Sequence, residues 1–398
     1  MTPYRVAIVV PRYGAEVNGG AEALARSYAR QLANHCRVTV LTTCALDYRT
    51  WSDHFAQGLS QDGPVEVMRF AVPRPRDEAA FDALSTGVFG EGKPSLEAQT
   101  TWMDAQGPVS PALEAHLGEK GTDYDAVLFI PYLYATTARG LPLVADRSVL
   151  VPALHDEPPL RLSLFDGIVE SARSLVFSTP EEMKLAETRF NVRHDRCHLV
   201  GAGIDLPARG DPTAFGASAG IDRPYVLALG RIDPSKGVQE LIDMHRAYRE
   251  ARPNGLDLVM VGRPVMDLPD EPWLHLAGFV DDTAKQDALA GCTALVSASP
   301  YESLSLVLLE AWAQGRPTIV TTRSDVLTGQ TRRAGGGLWF STPAEYAAAI
   351  DLLASRPPLA WGLGRAGWRF ARSLSWPDVT QRLLDALPGY RRASGGSR

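Results

Sequence analysis

Ser299-Pro300-Tyr301-Glu302-Ser303-Leu304-Ser305-Leu306-Val307-Leu308-Leu309-Glu310-Ala311-Trp312-Ala313-Gln314-Gly315-Arg316-Pro317 decides how this chain is read. A short β-forming run, residues 294–297, reaches a polar turn, and a Leu-rich helix follows until Gly315 and Pro317 stop it. Strand, turn and helix in this order form the repeating unit of a parallel, doubly wound sheet. Two carboxylates mark the unit, Glu302 at its mouth and Glu310 eight residues on. Eight residues of helix rise about 12 Å. That is of the order of the separation between a sugar and a ribose joined through a pyrophosphate. The helix N-terminus between the carboxylates offers free N–H groups and a positive dipole end. A plainer reading stands beside it: acidic residues are common in the first turn of any helix, and Glu310 then faces solvent.

The second half repeats the alternation at 225–229, 238–251, 256–261, 282–289, 304–313 and 318–321. Gly230-Arg231-Ile232-Asp233-Pro234-Ser235-Lys236-Gly237 follows its first strand. Arg231 and Lys236, five apart across a Pro-containing turn, can converge on one anion, Arg as a planar fork and Lys as a mobile point charge. The alternative is a solvated basic loop in which Asp233 takes the partner's place. Arg323 to Leu327 and the triplet Gly335-Gly336-Gly337 receive no role. Residues 201–220, rich in Gly, Pro, Ala and Asp, read as an interdomain linker.

The first half opens on a continuous apolar run, 6–10, typical of a strand buried on both faces. Gly19-Gly20 then stands where an amphipathic stretch, 21–33, begins. Two residues without Cβ atoms let backbone N–H groups approach a phosphate, although the pair also suits a simple turn. Further strands are expected at 37–42, 65–70, 126–130, 148–154, 175–177 and 197–200. The long excursion 45–120, with Trp51, Phe55 and Trp102, is expected to shape a cleft for an acceptor. His155 stands at the carboxyl end of a strand, where ligands bind in open α/β sheets. It either hydrogen-bonds a substrate hydroxyl or is held structurally by Asp156. Asp123-Tyr124-Asp125 precedes its strand and is set aside as a metal motif.

At 398 residues the chain is long for one core, so two domains are expected. Hydrophobic content of 45% and charged content of 22% are those of an ordinary globular protein. A net charge of −6 argues against nucleic-acid binding, while peripheral contact with a membrane surface stays open. Four scattered cysteines, Cys36, Cys44, Cys197 and Cys292, fit a reducing, cytoplasmic setting and no disulfide framework or zinc site. The apolar run at 6–10 is too short for a signal peptide or a membrane span. The fold class expected is α/β, two doubly wound Rossmann-like domains facing across a cleft, over 1–205 and 206–372. A last amphipathic helix covers 373–388 and a disordered tail 389–398.

Taken together, these residues resemble the retaining nucleotide-sugar glycosyltransferases of the GT-B fold, glycosyltransferase family 4. The likeness rests on Asn18-Gly19-Gly20-Ala21-Glu22, the G-R-x-x-x-x-K-G of 230–237, the paired Glu302 and Glu310, and the E-A-x-A-x-G-x-P run of 310–317. By that resemblance, Gly19, Gly20, Gly230, Arg231 and Lys236 hold the donor diphosphate. Glu302 meets the sugar hydroxyls, Ser303, Leu304 and Ser305 supply backbone N–H groups, Glu310 binds the ribose, and His155 lies beside the transferred sugar. The closing helix around Trp376 crosses back to the first domain. The usual E-G-F-G is here Glu302-Ser303-Leu304-Ser305, and a G-G-x-x-E loop is replaced by Arg323-Ser324-Asp325-Val326, which bears on donor identity. The expected reaction is hexosyl transfer from a nucleoside diphosphate-sugar to a carbohydrate, lipid-linked or small-molecule hydroxyl, with retention, in polysaccharide, glycolipid or glycoconjugate assembly. No metal and no cofactor are expected. Epimerase or phosphorylase chemistry, or a non-catalytic binding subunit, are the alternatives.

Overall fold

The computed structural model describes residues 3–17 and 19–390; Asn18 of the glycine motif and 391–398 of the expected tail lie outside them. Two units are distinguished, residues 1–202 with 376–398 and residues 203–375.

In the first unit, β1 (Arg5–Val10) carries five consecutive buried residues, and the sheet is built around it. Around it stand β2 (Arg37–Thr43), β3 (Gly58–Asp62), β4 (Val65–Phe70), β5 (Ala126–Phe129), β6 (Ser148–Leu150), β7 (Ser174–Phe177) and β8 (Cys197–Leu199). Their spatial order is β3-β4-β2-β1-β5-β6-β7-β8, parallel except for the β3–β4 hairpin. Strands buried on both faces must be uniformly apolar, which is why 6–10 and 126–129 show no alternation. Residues 45–120 give helices at Glu78–Phe89, Leu96–Gln106 and Pro111–Lys120. Trp51 and Trp102 are fully buried there, Trp51 donating to the Gln106 carbonyl at 2.8 Å. These two rings are therefore core, which corrects the expectation that they line a cleft.

The second unit holds β9 (Tyr225–Leu229), β10 (Asp257–Val261), β11 (Leu274–Gly278), β12 (Ala294–Ser297), β13 (Thr318–Thr321) and β14 (Gly337–Phe340) in the order β11-β10-β9-β12-β13-β14, all parallel. That order reverses between β9 and β12, the topological switch point of a doubly wound sheet. The supposed linker 201–220 is more structured than its composition suggests. It contains the helix Ala214–Ala219, and the Gly210 and Asp211 N–H groups bond Gln314 Oε1 at 3.1 Å and Asp287 Oδ1 at 2.7 Å.

The final helix, Trp376–Ala386, belongs to the first unit. Trp376 meets Tyr28 edge-on at 6.5 Å, and Arg382 donates twice to the Val200 carbonyl, at 3.1 and 3.0 Å.

One packing contact positions the helix Leu306–Ala313. The helix Pro357–Ser373 approaches it so closely that a Cβ on Gly364 would stand 1.9 Å from the Gly315 carbonyl oxygen, and one on Gly367 2.3 Å from Trp312 Cδ1. Helix propensity alone favours Gly364→Ala by about 1 kcal/mol. The obstructing atom is backbone and cannot swing away, so overpacking should win and the variant should lose about 1–3 kcal/mol. Urea unfolding with an unchanged slope measures this; a stabilised Gly364→Ala would contradict the contact.

Candidate functional site

The helix carrying Glu310 begins at Leu306, with Ser305 as N-cap. Glu302 thus lies in the extended turn before the helix and not on it, so the helical rise expected between the two carboxylates does not apply. Ser303 and Leu304 continue this turn, half-buried. Ser305 caps without its side chain, and its backbone N–H and carbonyl are both held by the buried Gln330 amide at 3.1 Å. The hydroxyl leaves the first N–H groups of the helix uncapped, while Gln330 fixes where they point.

Across the switch point, the loop after β9 meets this turn. Gly230 has φ +128, and Gly237 has φ +67, with its missing Cβ 2.3 Å from the Ala298 carbonyl oxygen. Only glycine allows that approach. Between them the Asp233 side chain accepts from Ser235 N at 2.9 Å and starts a 3-10 turn, Pro234–Lys236. The turn delivers Lys236, whose Nζ donates to Glu302 Oε1 at 2.8 Å. Arg231 pairs with Asp233 Oδ2 at 3.3 Å on its own loop, so the alternative sequence reading of this loop describes Arg231 and not Lys236.

Glu310 also has a lysine. Lys285 Nζ, on the helix Asp282–Gly291, lies 3.0 Å from Glu310 Oε1 and 3.0 Å from Asp282 Oδ1. Burial opposes the ammonium there, but the two carboxylates outweigh it and hold the Lys285 pKa above its ordinary value. Each carboxylate of the pair therefore stands with one cation. The sequence reading does not single out Lys285 or Gln330. Lys285 is the one basic residue of its helix, which is the available signal; Gln330 leaves none.

A cavity of about 640 Å³ lies in the same unit, lined in part by Ser235, Glu240, Asp243, Tyr301 and Arg323. Neither Lys236 nor Glu302 lines it. Its wall carries two carboxylates against one guanidinium, and Arg323 is already paired with Glu240. That balance is unfavourable for a diphosphate, so the cation-bearing loops remain the better anion site.

In the first unit, Gly19 and Gly20 begin the helix Gly20–Leu32 at the carboxyl end of β1. A Cβ on Gly19 would fall 2.0 Å from Glu22 Oε2, because the buried Arg12–Glu22 ion pair fills that space; beside Gly20 nothing lies within 4 Å. His155 follows β6 on the same sheet edge. Its Nδ1 is 3.4 Å from Glu157 Oε1, which also accepts from the Tyr132 hydroxyl at 3.1 Å. Glu157, and not Asp156, is its partner; Asp156 is exposed beside Arg161. Just upstream, Ala153 has φ +54, a left-handed conformation costly for a residue with a Cβ. Beneath the turn, the buried Glu182 carboxylate accepts from Leu154 N at 2.9 Å and Ser178 N at 2.7 Å. Among the described residues no group of three His, Cys, Asp or Glu side chains could hold a metal, and no helix is long and apolar enough to cross a membrane.

The pattern of the family described as Glycosyl transferases group 1 matches residues 223–356, the part of the chain that holds Lys236, Glu302 and Glu310. The chain is 28% identical over 260 residues to a D-inositol 3-phosphate glycosyltransferase of Kribbella flavida, covering 60% of this chain and 61% of that protein. It is 31% identical over 262 residues to the Frankia alni protein of the same name, covering 60% and 63%. It thus spans less than two thirds of the length of these relatives. Among solved structures, a sucrose-phosphate synthase from Thermosynechococcus elongatus superposes with TM-score 0.71 at 18% identity, over 99% of this chain and 100% of that one. Anabaena HepE, crystallised with UDP and glucose, gives 0.69 at 14% identity, over 96% and 98%. The fold is the one these solved structures share, and the segment 223–356 carries the group 1 pattern.

Burial pushes the Glu182 carboxyl up to about 7 against the pull of its backbone N–H donors, Ser178, Leu154 and Thr179. An acid raised in the folded state keeps a proton that the unfolded chain releases. Its stabilising contribution is therefore complete below its unfolded pKa of about 4.3 and is lost as pH rises through 7. Urea unfolding at pH 5 and pH 7.5 should show a fall for the wild type that Glu182→Gln lacks. Parallel pH dependences in the two proteins would refute it.

Proposed function

We propose that the chain is a retaining glycosyltransferase that moves a hexosyl group from a nucleoside diphosphate-sugar to a hydroxyl of a carbohydrate acceptor. The observation that supports this best is the Lys236–Glu302 pair, 2.8 Å across the β9/β12 switch point. A donor diphosphate would take Lys236 from Glu302, and the freed carboxylate would accept from the sugar hydroxyls. Arg231 and the uncapped N–H groups beyond Ser305 would meet the same charge, and Glu310 the ribose. These are fixed dipoles and cations aimed where negative charge develops, often the largest catalytic contribution.

In the reaction, the bond from the anomeric carbon to the diphosphate oxygen breaks and one from that carbon to the acceptor oxygen forms on the same face. The acceptor proton passes to the departing phosphate oxygen. Charge neutralisation by Arg231 and Lys236 makes a divalent ion unnecessary in this scheme. The structural neighbours crystallised with UDP-glucose and with UDP-2-fluoro glucose make UDP-glucose the first donor to try. Relatives named for D-inositol 3-phosphate and for mannosylfructose-phosphate synthesis make phosphorylated polyols and sugars the first acceptors. Four free thiols fit a cytoplasmic setting.

Release of nucleoside diphosphate from UDP-glucose or another donor, with an acceptor panel, tests this reading. Lys236→Ala and Glu302→Ala should each lower kcat/KM about 100–1,000-fold. Their melting temperatures should hardly change, because partly exposed pairs contribute about 0–1 kcal/mol. Near-wild-type rates in both variants would end the proposal.

A further inference from the structure

The buried Glu182 carboxylate has no role in the proposed donor site, and among the described residues no cation stands at ion-pair distance from its oxygens. It sits at the start of the helix Pro180–Phe190, where Thr179 Oγ1 already caps by accepting from Glu182 N at 3.2 Å. Its own oxygens reach past that helix to the Leu154 and Ser178 N–H groups, tying the turn after β6 to the end of β7. Leu154 lies between Ala153, held at φ +54, and His155. A left-handed alanine persists only where its surroundings over-determine it. The Glu182–Leu154 bond is one of the contacts that do so.

We propose that Glu182 is a positioning residue for His155: through its bond to the Leu154 N–H it pins the strained turn that presents the imidazole. The claim about turnover rests on the proposed glycosyl transfer; the claim about the ring does not. A carboxylate can accept on both oxygens at once, from the Leu154 N–H on one and the Ser178 N–H on the other; an amide has a single acceptor oxygen and must give up one of the two bonds.

A double-mutant cycle on the full chain tests this, with Glu182→Gln, His155→Ala and the double variant, using the nucleotide-sugar that the wild type turns over fastest. Glu182→Gln should lower kcat about 10–100-fold, as loss of the hydrogen-bond partner behind a metal-bound histidine does, with donor KM within about twofold. In the His155→Ala background the same change should cost nothing further, since a residue acting through another is silent once that one is gone. Additive losses would overturn the proposal. The ring is read separately, by the His155 Cε1–H cross-peak, assigned from its disappearance in His155→Ala. It should move in Glu182→Gln, and an unmoved peak would overturn the proposal even if the wild type transfers no sugar. Should Glu182→Gln fail to fold, Glu182→Asp, which keeps the charge and shortens its reach, enters the same cycle with the same criteria.

Discussion

The reversal of strand order between β9 and β12 is the constraint on which the site depends. In an open parallel sheet, helices leave to opposite faces on the two sides of such a reversal, and the strand ends there remain uncovered. Every strand of the second unit except the edge ones must be apolar, so polar chemistry can be built only in the loops at the carboxyl edge. Two of those loops flank the reversal, one bearing Lys236 and the other Glu302. The pair at 2.8 Å is the consequence of topology first and of side-chain choice second.

Energetics separate what this pair does from what holds the unit together. A lysine and a carboxylate that still see water gain little from each other. The apolar strands and the close contact of Gly364 and Gly367 with the Leu306–Ala313 helix carry the stability. A weakly stabilising pair can be opened by a better anion at little cost. That is the property a binding site needs and a structural ion pair does not. The buried Arg12–Glu22 pair of the first unit is the contrast: both side chains are removed from water, and breaking it would strand a charge.

Much of the fold was legible because buried parallel strands write themselves as uninterrupted apolar runs. β1, β9, β12 and β13 stand where those runs stand. The strands that sequence reasoning passed over, β3, β11 and β14, are all at sheet edges. Edge strands are half-exposed, and Gly-Leu-Ser-Gln-Asp of β3 carries no apolar signal at all. The excursion 45–120 misled for the opposite reason. Aromatic residues between prolines look like a binding surface, but Trp51 packs with Ala45 and Val72, and Trp102, on one of the three extra helices, packs into the main core. At the site, carboxylates and cations were readable as residue types, whereas Lys285 and Gln330 become meaningful only when separate segments are packed together.

Gly19 and Gly20 show where such reading stops. Side by side in sequence, they look like one device for admitting a phosphate. At Gly19 a Cβ would meet Glu22 Oε2 and displace the buried Arg12–Glu22 pair, a demand made from inside the protein. Gly20 has nothing within 4 Å of its missing Cβ, so no neighbour in the fold explains it. A backbone bare on its open side at the first turn of a helix is free to approach an anion. Of the pair, only Gly20 is thus a residue whose smallness a ligand could use, and a side chain at Gly19 would act through the ion pair behind it.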